Sequence, residues 1–164
     1  ALPMSGVALF RPYALPAEGG CRCGALRFRV TAQPIATAAC HCRGCQRMSG
    51  SAFSTTLMVP GEGFEVLAGA PVLGGMKNPA LQHVHCAECL SWVFTRIEGA
   101  PFLNVRAVML DDPSGFVPFV ETCTAERLPW AETPAPHKYE SFPPDEAFGP
   151  LLAEYATLIA SQES

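Results

Sequence analysis

Alternation of apolar and polar residues governs most of the chain, and helical spacing enters only near its end. Leu26, Phe28 and Val30 alternate with Arg27, Arg29 and Thr31, the period of two that marks a half-buried strand. Pro34 closes that segment, and a short linker follows it. Residues 52–59 and 64–67 read as strands divided by Pro60, Gly61, Glu62 and Gly63. Residues 81–85, 92–97, 102–108 and 117–120 are further strand candidates, with a turn at Asp111, Asp112, Pro113, Ser114 and Gly115. Residues 69–79 read as a loop, residues 43–49 as one or two helical turns, and residues 128–144, with five prolines, as an irregular surface segment. A helix is predicted from Pro150 in its first turn. Leu151, Leu152, Tyr155, Leu158 and Ile159 form its apolar face, while Glu154 and Gln162 look to water. The pattern predicts a mainly β chain (α+β with few helices) carrying a C-terminal amphipathic helix, which packs on the sheet or on a second copy in a homo-oligomer.

Composition narrows this picture. A chain of 164 residues, 49% hydrophobic and 16% charged, is long enough for one core. A formal charge of −4 leaves no basic footprint for a phosphate backbone, so nucleic acid is not an expected partner. No run approaches the roughly 20 apolar residues that span a bilayer, so no membrane partner is expected. The opening residues, broken by Pro3, Pro12 and Pro16, do not read as a secretory leader. They read as an extended arm, with Met4 as the expected natural start and the cytoplasm as the expected compartment.

Cysteines carry the chemistry. Seven of the eight fall into three groups: Cys21 and Cys23; Cys40, Cys42 and Cys45; Cys86 and Cys89. One or two intervening residues let neighbouring thiolates converge on one ion, whereas disulfide rings that small are strained. Four thiolates close a structural zinc site, and three leave a position open. Two pairs on turns beside strands, Cys21 with Cys23 and Cys86 with Cys89, make the natural closed site. Structural zinc contributes about 10–16 kcal/mol in small domains, so loss of one ligand there is expected to unfold the chain. Cys40, Cys42 and Cys45 would hold a second ion. Its open position suits an incoming thiol, which becomes a nucleophile at neutral pH once bound as thiolate. The alternative is a second structural zinc with a histidine or Cys123 as its fourth ligand. His41 reads as supporting its neighbours or facing solvent, and His83 and His85 as strand residues. Cys123 reads as a buried apolar residue or as a reactive thiol, and Trp92 and Trp130 as core or pocket wall.

The stretch Gly19, Gly20, Cys21, Arg22, Cys23, Gly24, Ala25, Leu26, Arg27, Phe28 resembles the opening of the glutathione-dependent formaldehyde-activating enzyme family, also called centromere protein V-like. The run from Cys40 through Gly44, Cys45, Gln46, Arg47, Met48, Ser49, Gly50 and Ser51 to Ala52 is similar to its second motif, and Cys86, Ala87, Glu88, Cys89 to its third. Phe102 to Arg106, Leu110 to Asp112, and Pro129 with Trp130 extend the likeness. The resemblance implies an Mss4-like β-tent fold held by zinc, with the three-cysteine zinc catalytic. It also implies a carbon–sulfur lyase reaction, the reversible addition of glutathione sulfur to formaldehyde. His85 and Leu90 depart from the third motif, which usually has phenylalanine before its first cysteine and glycine after its second. Residues 69–79 lack an obvious counterpart.

The leading expectation is thus a zinc enzyme of thiol–aldehyde chemistry with one structural and one catalytic zinc, and Cys40, Cys42 and Cys45 as the catalytic ligands. Arg22, Arg43, Arg47 and Arg106 are the candidates to offset thiolate charge or hold the carboxylates of a glutathione-like substrate. Competing expectations are a thiol redox enzyme built on Cys123 with zinc only structural, and a non-catalytic zinc-binding interaction module. The expected division is an N-terminal extension over 1–18, a zinc-binding domain over 19–135, and a Pro-rich segment with the helix over 136–164.

Overall fold

The computed structural model of the chain describes residues 9–162, so Met4 and the first half of the arm lie outside the described residues. Among the described residues eleven strands form two sheets, accompanied by two α-helices. Strands β1 (Ala17–Gly20), β2 (Arg27–Val30) and β5 (Phe64–Ala68) form the smaller one, in the order β1-β2-β5. The larger contains β3 (Ala36–Cys40), β4 (Ser54–Pro60), β6 (Pro71–Leu73), β7 (Leu81–Cys86), β8 (Trp92–Ile97), β9 (Phe102–Val105), β10 (Val120–Thr122) and β11 (His137–Lys138). Its order is β11-β10-β3-β4-β9-β8-β7-β6, antiparallel except where β10 runs parallel to β3 and β11. The mainly β expectation holds.

The alternation in β2 works as read. Phe28 and Val30 enter the core, while Arg27 and Arg29 turn outward to Asp111, Glu18 and Glu65. The main core lies between the sheets, where Leu26, Phe28, Val30 and Phe64 meet Leu57, Val59, Val84, Phe94, Leu103 and Val105. A second cluster lies under α2 (Asp145–Ala160) and joins Leu151, Tyr155 and Ile159 to Phe10, Phe119 and Val120. The helix therefore rests its apolar face on the β10 end of the large sheet.

Several local readings change. Gly19 and Gly20 belong to β1, and a side-chain carbon on Gly19 would meet the Leu110 Cα at 2.9 Å, so the glycine serves close packing of two backbones. The linker after Pro34 becomes β3, the loop 69–79 contains β6, and the Pro-rich segment contributes β11. The strand expected over 102–108 stops at Val105 and gives way to a 3-10 turn over Ala107–Met109, and the strand expected over 117–120 starts only at Val120. α2 begins at Asp145, five residues ahead of Pro150, because Asp145 and Glu146 complement the positive helix N-terminus and Ala147 already packs on the cluster.

Candidate metal centres

The first centre joins the two sheets. Cys21 and Cys23 sit on the turn between β1 and β2, held by the Cys21 amide donating to the Leu26 carbonyl at 3.0 Å and by Gly24 at φ +81°. Cys86 ends β7, and Cys89 lies on the turn to β8, closed by the Leu90 amide donating to the Cys86 carbonyl at 3.0 Å. All four Sγ atoms lie within 4.8 Å of one another. Tetrahedral Zn–S bonds of about 2.3 Å separate sulfurs by about 3.8 Å, and Cys21 and Cys23 stand at 3.5 Å, Cys23 and Cys86 at 3.9 Å. The donor set fits a closed zinc site. Backbone amides already point at it: Leu26 donates to the Cys21 sulfur at 3.2 Å and Glu88 to the Cys86 sulfur at 3.4 Å. Hydrogen bonding from Ser91 lowers Cys89 to about 5.

The second centre is built on one strand end and one short helix. Cys40 is the last residue of β3, opposite Ser54 of β4 and Thr122 of β10. Cys42 caps α1 (Arg43–Ser49), accepting a hydrogen bond from the Cys45 amide at 3.3 Å, and Gly50 ends the helix at φ +62°. The three sulfurs lie within 4.8 Å of one another, and no fourth His, Cys, Asp or Glu joins them in such a group among the described residues. Contact with Cys45 pulls Cys40 down to about 5 while Cys45 itself is pushed up, so one proton is shared unequally between neighbours. The set fits a three-ligand zinc site.

Non-local groups hold this turn in place. The His41 amide donates to the Thr122 carbonyl at 3.0 Å, and the buried His41 ring donates through Nε2 to Glu121 Oε1 at 2.8 Å. Lys138 Nζ stands 3.1 Å from the other Glu121 oxygen. Burial opposes the Glu121 carboxylate, but His41 and Lys138 outweigh it and hold it below its usual range. Gln46 Nε2 donates to the His41 carbonyl at 2.7 Å and the Glu126 carbonyl at 3.0 Å, fastening α1 to the segment after β10. His41 thus faces away from the sulfurs and supports them from behind. Gln46 and Glu121 were not singled out by sequence reasoning. A lone charge beside the apolar run Val117, Pro118, Phe119, Val120 was the available sign of Glu121.

The arginine candidates separate. Arg22 is exposed on the turn of the four-cysteine centre. Arg43 and Arg47 line an open groove of about 510 Å³ with Gln46, Gly50, Ser51, Ala52, Leu128 and Trp130. Trp130, read from sequence as core or wall, is 73% exposed at this groove. Arg106 is buried, with its guanidinium carbon 4.1 Å from the Trp92 ring centre. Loop 69–79 comes close as well: a side-chain carbon on Gly75 would lie 2.9 Å from the His83 ring and 3.3 Å from the Met48 sulfur of α1. His83 and His85 are strand residues as expected, with His83 Nδ1 2.9 Å from the Thr95 hydroxyl. Cys123 is buried, and burial followed by the nearby Cys40 pushes it up to about 12.

Among the described residues no helix is long and apolar enough to cross a membrane. The family model of the glutathione-dependent formaldehyde-activating enzyme matches residues 16–126. Curated relatives provisionally named for that activity include a protein of Sordaria macrospora, 34% identical over 52% of this chain and 39% of its own length. Another, from Halomonas elongata, is 34% identical over 47% of this chain and 55% of its own, and one from Aspergillus flavus is 32% identical over 57% and 44%. The chain spans about half the length of these relatives or less. A crystal structure of a Rhodobacter sphaeroides protein is similar with a TM-score of 0.45 at 18% identity, covering 57% of this chain and 87% of that one. With both cysteine centres inside the matched span, the chain belongs to the glutathione-dependent formaldehyde-activating enzyme family.

Proposed function

We propose that the chain is a zinc-dependent enzyme that adds a glutathione-like thiol to a small aldehyde such as formaldehyde, a carbon–sulfur lyase in the reverse sense. The observation that carries this reading is the second centre: three sulfurs within 4.8 Å, without a fourth ligand in the group among the described residues, at the short helix α1 whose other face, bearing Arg43 and Arg47, lines an open groove. Cys40, Cys42 and Cys45 would hold the catalytic zinc, and Cys21, Cys23, Cys86 and Cys89 the structural one. Zinc bound by three cysteines keeps an open position and, when present, stabilises a thiol as its thiolate at neutral pH.

The chain's own residues then do the rest. Arg43 and Arg47 receive the carboxylates of the thiol substrate, each as a charge-assisted contact. The exposed Trp130 ring covers the apolar part of the same ligand. In the addition the sulfur–carbon bond forms, the carbonyl π pair moves to oxygen, and the proton lost by the thiol is regained by that oxygen, with no redox change. Holding both reactants at the end of β3 converts an encounter of two molecules into a reaction within one site. The redox alternative built on Cys123 has the opposite support, since burial raises that thiol where an attacking thiolate needs a lowered one.

Zinc content of the purified chain and of a Cys42→Ser variant, read with a glutathione–formaldehyde adduct assay, tests this. Two zincs in the parent, one in the folded variant and adduct formation only in the parent are expected. One zinc in both proteins would overturn the reading.

A further inference from the structure

Arg106 is a buried cation with no carboxylate partner among the described residues. Its side chain is 5% exposed, its Nε has no hydrogen-bond partner, and its guanidinium lies over the face of Trp92. Trp92 is itself fixed by its indole N–H donating to the Thr95 hydroxyl at 3.0 Å. A desolvated cation–π contact offsets only part of the cost of burying an ion. The stack alone leaves the charge uncompensated.

Register places the missing partner. Cys40 pairs with Ser54 across β3 and β4, and Val105 pairs with Leu57 across β9 and β4. Counting one residue on from Val105 sets Arg106 beside Thr56, which shares a sheet face with Ser54 two residues away. Arg106 and Cys40 therefore lie on the same face, two strands apart. The groups whose charge favours the Arg106 cation are Cys45 and Cys40, against a burial effect that lowers it to about 10. The nearby His83 supplies no anion, and burial and Arg106 keep it neutral.

Three thiolates around a divalent ion carry one net negative charge. We propose that Arg106 is the counter-charge of the three-cysteine centre, a positioning residue that makes the group of metal, thiolates and guanidinium neutral and so sets the affinity of that centre for its metal. The inference rests on the reading that Cys40, Cys42 and Cys45 hold a divalent ion. It assigns Arg106 to the metal and leaves recognition of substrate carboxylates to Arg43 and Arg47. The arginine and the cysteines thus depend on each other.

The test uses the full chain loaded with zinc, in the parent and the Arg106→Met and Arg106→Lys variants, each also combined with Cys42→Ser. Competition with a chromogenic zinc chelator reads the two sites separately. Arg106→Met is expected to weaken one zinc about 10- to 100-fold, the range for lost outer partners of metal ligands, and to leave the other at parental affinity. Arg106→Lys keeps the charge and is expected to recover most of that loss. In the Cys42→Ser background, where the second metal is no longer held, Arg106→Met is expected to lower the melting temperature less than it does in the loaded parent. Unchanged affinity at both sites in Arg106→Met, equal loss at both, or the same melting shift in both backgrounds would overturn the proposal. If Arg106→Met does not fold, a lysine variant as weak in zinc as a Cys42→Ser protein would overturn it equally. A parent with only one zinc would instead refute the reading of the three-cysteine centre itself.

Discussion

Leu90 occupies a backbone conformation meant for glycine. It follows Cys89 on the turn of the four-cysteine centre with φ +59°, and its side chain is 66% exposed. A residue with a Cβ loses about 1–2 kcal/mol in that left-handed region. Glycine avoids the loss but is more disordered when unfolded, by about 0.5–1 kcal/mol. The net gain from Leu90→Gly relative to Leu90→Ala is then about 0.5–1 kcal/mol, with alanine as the proper reference because both variants remove the same exposed side chain. For a chain of this size about 1 kcal/mol corresponds to roughly 2–4 °C in melting temperature. The assay is thermal unfolding of the zinc-loaded variants, scored as the glycine-minus-alanine difference. A glycine variant that melts with or below the alanine variant would refute the assignment of strain to this turn. Leu90 enters the turn's hydrogen bonding through its backbone amide, and neither change removes a metal ligand.

Other perturbations follow the same logic. Cys86→Ser is expected to abolish the cooperative fold, seen as loss of β signal in circular dichroism, because zinc sites of that kind contribute about 10–16 kcal/mol. Glu121→Ala leaves His41 and Lys138 without their buried partner and should cost about 3 kcal/mol in urea unfolding, the range for a broken buried ion pair. Arg47→Ala combined with Trp130→Ala should raise the KM for the thiol with kcat little changed, the signature of lost uniform binding. Arg27 donates to both Asp111 oxygens, at 2.8 and 2.5 Å, and holds that carboxyl below its usual range. Its stabilisation is complete above the unfolded carboxylate pKa of about 3.9 and is lost only as pH falls through the lower folded value. Asp111→Asn should therefore cost about 0.5 kcal/mol, an exposed pair's share, with a constant gap in urea midpoint from pH 7 to 5; a gap that closes within that range would contradict the assignment.

What could be read from the chain was what is local. The two cysteine pairs and the trio announce themselves by spacing, β2 by alternation, and α1 by its position between Cys42 and Gly50. The short strands β1, β3, β6 and β11 carry too little pattern of their own, and exist because distant partners complete their hydrogen bonds. Placement of the arginines was likewise invisible. Arg43, Arg47 and Arg106 look alike in sequence, yet two line a groove and one is stacked on Trp92 in the interior. The buried contact of His41 with Glu121 spans eighty positions, beyond the reach of any periodicity.

Parallel pairing of β3 with β10 has a consequence for synthesis. Cys40 gains its neighbour Thr122 only when a strand more than eighty positions downstream exists, whereas the four-cysteine centre has all its ligands once Cys89 is made. At about 5–20 residues per second a ribosome needs roughly 4–16 s to cover that distance. Through that interval Cys40, Cys42 and Cys45 are present on the nascent chain without the strand that walls them in, open to whatever metal or oxidant the compartment holds. All three ligands of the open centre are made by Cys45, before Cys86 and Cys89 complete the closed one, so the open centre is the one most exposed to being loaded with the wrong ion.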